Sequence, residues 1–137
     1  MKAPEGYSSY NITFWKLNKA IYGLKQAGRA WNEKLNNVLL GINFNRLTTE
    51  PWIYIRKNSY NEITCIIAIY VDDILLIGKE NEVLQVKEQI KTNFCIKDIG
   101  ELDFIIGIKF EKCNNDYVMH QLGYINELLK KFKLEKC

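Results

Sequence analysis

Apolar residues recur along this chain in two rhythms, and the switches between them outline its elements. Ile21, Leu24, Trp31, Leu35, Val38, Leu39 and Ile42 fall at three- and four-residue steps, which predicts a helix, with Gly41 placed to close it. Trp52-Ile53-Tyr54-Ile55, introduced by Pro51 and ended by Lys57-Asn58-Ser59, reads as a strand. The runs Ile63–Ile69 and Ile74–Ile77 read as two buried strands with little polar alternation. From Glu80 to Phe94 the helical step returns through Val83, Lys87, Ile90 and Phe94, the lysine contributing its aliphatic stem. Phe104–Phe110 and Tyr117–Met119 read as a hairpin about Asn114-Asn115-Asp116, and Ile125, Leu128, Leu129 and Phe132 mark a last helix over Tyr124–Leu134. The opening residues, Met1 to Ile12, read as irregular chain. Helices over one side of a mainly antiparallel sheet make an α+β layer fold.

Composition narrows the function classes. At 137 residues the chain is about one domain, 47% apolar and 26% charged, as in ordinary globular proteins. No apolar run spans a bilayer, and the N-terminus lacks the layout of a secretion signal. The net charge of +3 permits a nucleic-acid partner without demanding one. Lys130, Lys131, Lys133 and Lys136 cluster near the end, either as a solvated helix face or as contacts to a phosphate backbone. Cys65, Cys95, Cys113 and Cys137 stand far apart, and His120 has no ligand-spaced companion, so neither zinc nor a disulfide framework is expected. Cys65 reads as a small core residue, and a reducing intracellular setting fits.

The most informative tetrad is Tyr70-Val71-Asp72-Asp73, where two carboxylates interrupt an otherwise greasy hairpin. Aspartates at a tight turn can converge on one point, as binding a hard divalent cation through oxygen requires. Aspartate is equally a favoured turn residue, so a plain turn is the competing reading.

Two further segments join this tetrad. Lys16-Leu17-Asn18-Lys19-Ala20-Ile21-Tyr22-Gly23-Leu24-Lys25-Gln26-Ala27 runs on to Arg29-Ala30-Trp31, and Ile99-Gly100-Glu101-Leu102-Asp103-Phe104-Ile105-Ile106-Gly107-Ile108 leads into the later hairpin. In content, order and spacing the three resemble the reverse transcriptase of copia-type long-terminal-repeat retrotransposons, over essentially the whole chain. The resemblance implies an incomplete polymerase palm, an antiparallel sheet with helices on one face, followed by a hairpin and the first thumb helix. Residues 1–120 would be palm with a hairpin like the primer grip, and residues 121–137 the start of the thumb. It makes Asp72 and Asp73 the catalytic, metal-binding pair, with two Mg²⁺ or Mn²⁺ ions in the intact enzyme. Tyr70 and Val71 would lie at the primer terminus, and Gln26, Lys25 and Arg29 would contact template, nucleotide or phosphate; all of these could instead be ordinary strand or helix-surface residues. Phe104, Gly107 and Ile108 would belong to the primer grip, and Lys130, Lys131 and Lys133 would face nucleic acid. Lys97 is a weaker candidate, as proton donor to pyrophosphate. Gly28 stands where the family often has proline.

The resemblance also implies what this chain does not carry. The family's third aspartate lies on a strand upstream of the segment matching Met1-Lys2-Ala3-Pro4-Glu5-Gly6, and Asp98, Asp103 and Asp116 lack the apolar strand expected around it. The expectation is a piece of a Pol polyprotein that does not polymerise alone. Its partners in the intact enzyme would be primer–template, deoxynucleotides and the remaining polyprotein, in cytoplasmic virus-like particles or the nucleus. The alternatives are a non-catalytic nucleic-acid-binding module and a structural remnant.

Overall fold

The computed structural model describes residues 14–114 and 116–135; the irregular segment expected at Met1–Ile12, the family segment Met1–Gly6, Asn115, Lys136 and Cys137 lie outside the described residues. Ten elements follow in order: α1 (Ala27–Gly41), β1 (Asn45–Arg46), β2 (Ile53–Lys57), β3 (Ile63–Tyr70), β4 (Asp73–Gly78), α2 (Glu80–Lys91), β5 (Phe104–Ile105), β6 (Ile108–Cys113), β7 (Asp116–His120) and α3 (Leu122–Phe132). They form two compact units, Met1–Cys95 and Ile96–Cys137. This boundary of compactness differs from the expected palm–thumb division at 120/121, which is defined by role.

The first unit carries an antiparallel sheet in the order β1-β2-β3-β4. Register places Tyr54 opposite Ile67 and Cys65 opposite Gly78. Successive side chains of a strand point to opposite faces, so Tyr54, Cys65, Ile67 and Ile69 share one face, and all four are buried. Leu35 and Leu39 of α1, Val86 and Ile90 of α2, and Phe44 complete the core. The expectation of strands without alternation is corrected here. Burial along β3 does alternate, and Thr64, Ile66 and Ala68 on the second face are only half-buried. Isoleucine on both faces conceals from the sequence which one the helices cover.

Several boundaries also move. The apolar stripe reaches back to Ile21, yet α1 starts at Ala27, because Gly23 adopts a left-handed φ of 91° and the chain turns there instead. Gly41 ends the helix without taking the left-handed position, which falls to Asn43 at φ 66°. Asn43 N–H donates to Leu40 O (3.1 Å) and Phe44 N–H to Leu39 O (3.0 Å), the paired bonds of a Schellman closure, with Phe44 and Leu39 both buried beneath it. The two-residue β1 is too short to leave an alternation in the sequence. Helix α2 stops at Lys91 rather than Phe94, although Phe94 N–H still donates to Ile90 O (3.0 Å) and its ring meets Trp31 edge-on at 5.1 Å.

In the second unit the run expected as one strand, Phe104–Phe110, is broken. Ile106 and Gly107, at φ 52° and 77°, form a two-residue turn that folds β5 back on β6, pairing Ile105 with Ile108. Positive φ at both central residues is the primed hairpin geometry. The next hairpin pairs Cys113 with Asp116, so Asp116 opens β7 instead of sitting in the turn. The sheet order is β5-β6-β7.

Candidate active site

The aspartate pair sits at the β3–β4 hairpin, though not as the sequence suggests. Tyr70 pairs with Asp73, which leaves Val71-Asp72, and not the two aspartates, as the loop. Asp73 is the first residue of β4 and shares the half-buried face with Ala68 and Leu75, its neighbours in register. All four residues of the tetrad are exposed. Val71 has φ 55° while Asp72 does not enter the left-handed region. Positive φ at the first central residue alone is the signature of a type II′ turn, where glycine is the usual occupant. A β-branched residue there is strained, and such strain gathers at functional positions.

Carboxylate oxygens are the donors that Mg²⁺ and Mn²⁺ select, so Asp72 and Asp73 fit such an ion in kind. Their number falls short of the six or so oxygens a hard divalent ion takes. Among the described residues, no group of three or more histidines, cysteines, aspartates or glutamates could hold a metal ion.

Lys25, Gln26 and Arg29 gather at the start of α1, in the same unit as the hairpin. Gln26 is the residue before the first helical turn, and its side chain makes no capping hydrogen bond. Lys25 and Gln26 are exposed. Arg29 Nε donates to Glu33 Oε1 at 2.8 Å, one helical turn on, and that bond and charge raise the guanidinium above its ordinary value. Gly28 lies in the first turn of the helix and needs no unusual backbone angle.

The remaining predicted residues belong to the second unit. Phe104 is exposed on β5, Gly107 completes the turn, and Ile108 opens β6. Lys130 and Lys131 occupy the last turn of α3, where cations favour the helix dipole, and Lys133 takes the left-handed closing position at φ 57°. All three are exposed.

Sequence reasoning missed a cavity of about 630 Å³ in this unit, lined by Phe104, Lys109, Glu111, His120, Tyr124 and Glu127 among others. His120 Nδ1 accepts from Leu122 N–H (3.3 Å), while Nε2 lies buried 3.2 Å from Glu111 Oε1 without hydrogen-bond alignment. The pair lies diagonally across β6–β7, since His120 opposes Lys109. The signal was that register, which spacing alone does not give.

The model of one family, described as reverse transcriptase (RNA-dependent DNA polymerase), matches residues 1–137. The chain belongs to the reverse transcriptase family. Among relatives, a retrovirus-related Pol polyprotein from transposon TNT 1-94 of Nicotiana tabacum is 31% identical over 142 residues, covering 100% of this chain and 11% of that protein. A transposon Ty5-1 protein of Saccharomyces cerevisiae is 36% identical, covering 91% of this chain and 41% of its own length. A Pol polyprotein from transposon RE1 of Arabidopsis thaliana is 34% identical, covering 83% of this chain and 8% of its own length. This reverse transcriptase chain is a copia-type segment that spans 41% or less of the length of each of those relatives. No solved structure matches it. No helix among the described residues is long and apolar enough to cross a membrane.

Proposed function

We propose that this chain supplies part of the palm and the start of the thumb of an RNA-directed DNA polymerase, with Asp72 and Asp73 as its metal-binding carboxylates. The observation that supports this reading is the β3–β4 hairpin. Two exposed acids occupy its loop and first strand position, on a sheet braced by a buried core, in a chain matched throughout by the family. A bound Mg²⁺ or Mn²⁺ pair would lower the charge barrier to phosphoryl transfer. In the intact enzyme the 3′-hydroxyl of a primer attacks the α-phosphorus of a deoxynucleotide, and pyrophosphate leaves. Tyr70 and Val71 flank the primer end. Lys25, Gln26 and Arg29 meet template or nucleotide, Phe104, Gly107 and Ile108 form the primer grip, and Lys130, Lys131 and Lys133 track phosphates. The partners are primer–template, deoxynucleotides and the rest of the Pol polyprotein.

Two adjacent carboxylates without a third hold a metal pair poorly, so the 137-residue chain is proposed to bind cations weakly and not to polymerise. Two measurements test this. Primer extension on the purified chain with Mg²⁺ or Mn²⁺ should give no template-dependent product, and such product would refute the inactivity. Water-proton relaxation with Mn²⁺ should detect weak binding that Asp72→Asn with Asp73→Asn abolishes; unchanged relaxation in that variant would refute the metal role. The exposed lysines of α3 support a second reading, nucleic-acid binding without catalysis. It requires duplex binding that weakens with salt and survives the same double substitution.

A further inference from the structure

Nothing in the apolar pattern of the aspartate hairpin chooses how its two strands align. β4 offers Ile74, Leu75, Leu76 and Ile77 in succession, and β3 carries isoleucine on both faces. Ile74, Leu75 and Leu76 are all half-buried, so burial favours neither face of β4. Such a strand is prone to slip, and a slip of one residue carries every side chain to the other face. The loop does not choose either. Val71 is strained at φ 55° in a two-residue connection, although three-residue hairpin loops are also common.

Gly78 lies opposite Cys65 at the far end of the hairpin. A Cβ at position 78 would stand 2.7 Å from the Thr64 carbonyl oxygen and 3.4 Å from Cys65 Cα. Both are backbone atoms, which cannot turn aside as a side chain would. Slipping β4 by one residue brings Ile77 or Lys79 opposite Cys65 and drives a Cβ toward that carbonyl. Only glycine fits there, and β4 holds a single one. With Gly78 opposite Cys65, Tyr70 must oppose Asp73 and Val71-Asp72 must make the loop. The strain at Val71 is thus imposed from the other end of the hairpin. Asp73 then shares the face of Ala68 and Leu75. One residue out, it would either oppose Ile69, on the face of Cys65 and Ile67, or fall into the loop.

We infer that Gly78 is a positioning residue, which sets the β3–β4 register and thereby holds Asp73 at the strand position next to the loop residue Asp72. The register stands on the strands alone; its service to the acids rests on the metal reading proposed above.

A glycine inserted between Tyr70 and Val71 of the full chain sets loop and strand against each other. The inserted glycine and Val71 would make a favoured type II′ loop, moving Asp72 opposite Tyr70 and Asp73 opposite Ile69. Gly78 opposite Cys65 demands instead a three-residue loop and the native pairs. Non-hydrogen-bonded partners bring their Cα atoms closest, so NOEs between α-protons report the register. Tyr70 and Asp73 flank a two-residue loop as a hydrogen-bonded pair, which makes Ile69–Ile74 the next close pair. The insertion variant should keep the Ile69–Ile74 NOE, and adding Gly78→Ala should replace it with Ile69–Asp73. Adding Gly41→Ala instead, where a Cβ meets nothing within 4 Å, should change neither. Water-proton relaxation with Mn²⁺ should persist in the insertion variant. With Gly78→Ala added it should fall to the level of Asp72→Asn with Asp73→Asn, while tryptophan fluorescence still reports a folded core. An Ile69–Asp73 NOE in the insertion variant alone overturns the inference, even if Gly78→Ala fails to fold. So does an Ile69–Ile74 NOE that survives Gly78→Ala, or relaxation indifferent to a shifted register. If the native chain's relaxation does not depend on the acids while the NOEs behave as expected, the metal reading is refuted and the register is upheld.

Discussion

Glycine at position 71 should strengthen the hairpin that bears the aspartates, and alanine there should not. Val71 is held at φ 55° in the first central position of a two-residue loop. A left-handed backbone costs an L-residue roughly 1–2 kcal/mol, which glycine escapes and alanine does not. Glycine gives back about 0.4–1 kcal/mol through the greater freedom of its unfolded chain. Val71 is 63% exposed, so both substitutions lose the same small packing contribution, and it cancels in the comparison. The balance leaves Val71→Gly more stable than Val71→Ala by roughly 0.5–1 kcal/mol. With a typical urea slope for a unit of this size, the glycine variant's midpoint lies roughly 0.3–0.5 M higher. Tryptophan fluorescence is the natural probe, because Trp15, Trp31 and Trp52 all belong to the first unit. A glycine midpoint equal to or below that of alanine would show that the turn stores no strain. If the glycine variant is the more stable, natural selection has kept a costly valine beside the acids, which suits a residue chosen for contact rather than folding.

Two other outcomes follow from the first unit. Arg56 Nη2 meets Glu82 Oε2 at 2.6 Å with only 12% of the arginine side chain exposed, and its guanidinium lies 5.3 Å from the Phe44 ring centre. A double-mutant cycle of Arg56→Met and Glu82→Gln should return a coupling of about 1–2 kcal/mol, and coupling near zero would mean solvent screens the pair. Burial raises the Cys65 thiol above its ordinary value of 9.0, the nearby Arg56 charge opposing only in part. The folded chain therefore holds that proton more tightly than the unfolded one. Its contribution to stability is complete below pH 9.0 and declines as alkali titrates the folded thiol. Cys65→Val should flatten that alkaline decline; an equally steep loss in the variant would exclude the thiol.

Much of the fold is legible in the chain itself. The Ile- and Leu-rich runs around Tyr70-Val71-Asp72-Asp73 specify strands strongly, and the order of three motifs identified the family. What eluded the sequence depended on backbone angles and pairing. Nothing about Gly23 announces that it stops a stripe which otherwise continues through Ile21 and Leu24. Aspartates look like turn residues, so Asp72-Asp73 invited the loop position that register gives to Val71-Asp72. Ile106 looks like strand interior and conceals the turn it forms with Gly107. His120 and Glu111 lie nine positions apart, and only the β6–β7 pairing makes them neighbours.

Among the described residues, every buried core side chain lies between Leu35 and Ile90. Natural variation therefore meets unequal resistance along this molecule. A change at Leu39 or Ile67 must answer first to close packing, whereas one among the last forty or so positions disturbs little that is hidden from water. Side chains such as Tyr124, Lys130 and Phe132, exposed on α3, thus answer less to folding than to whatever touches that helix.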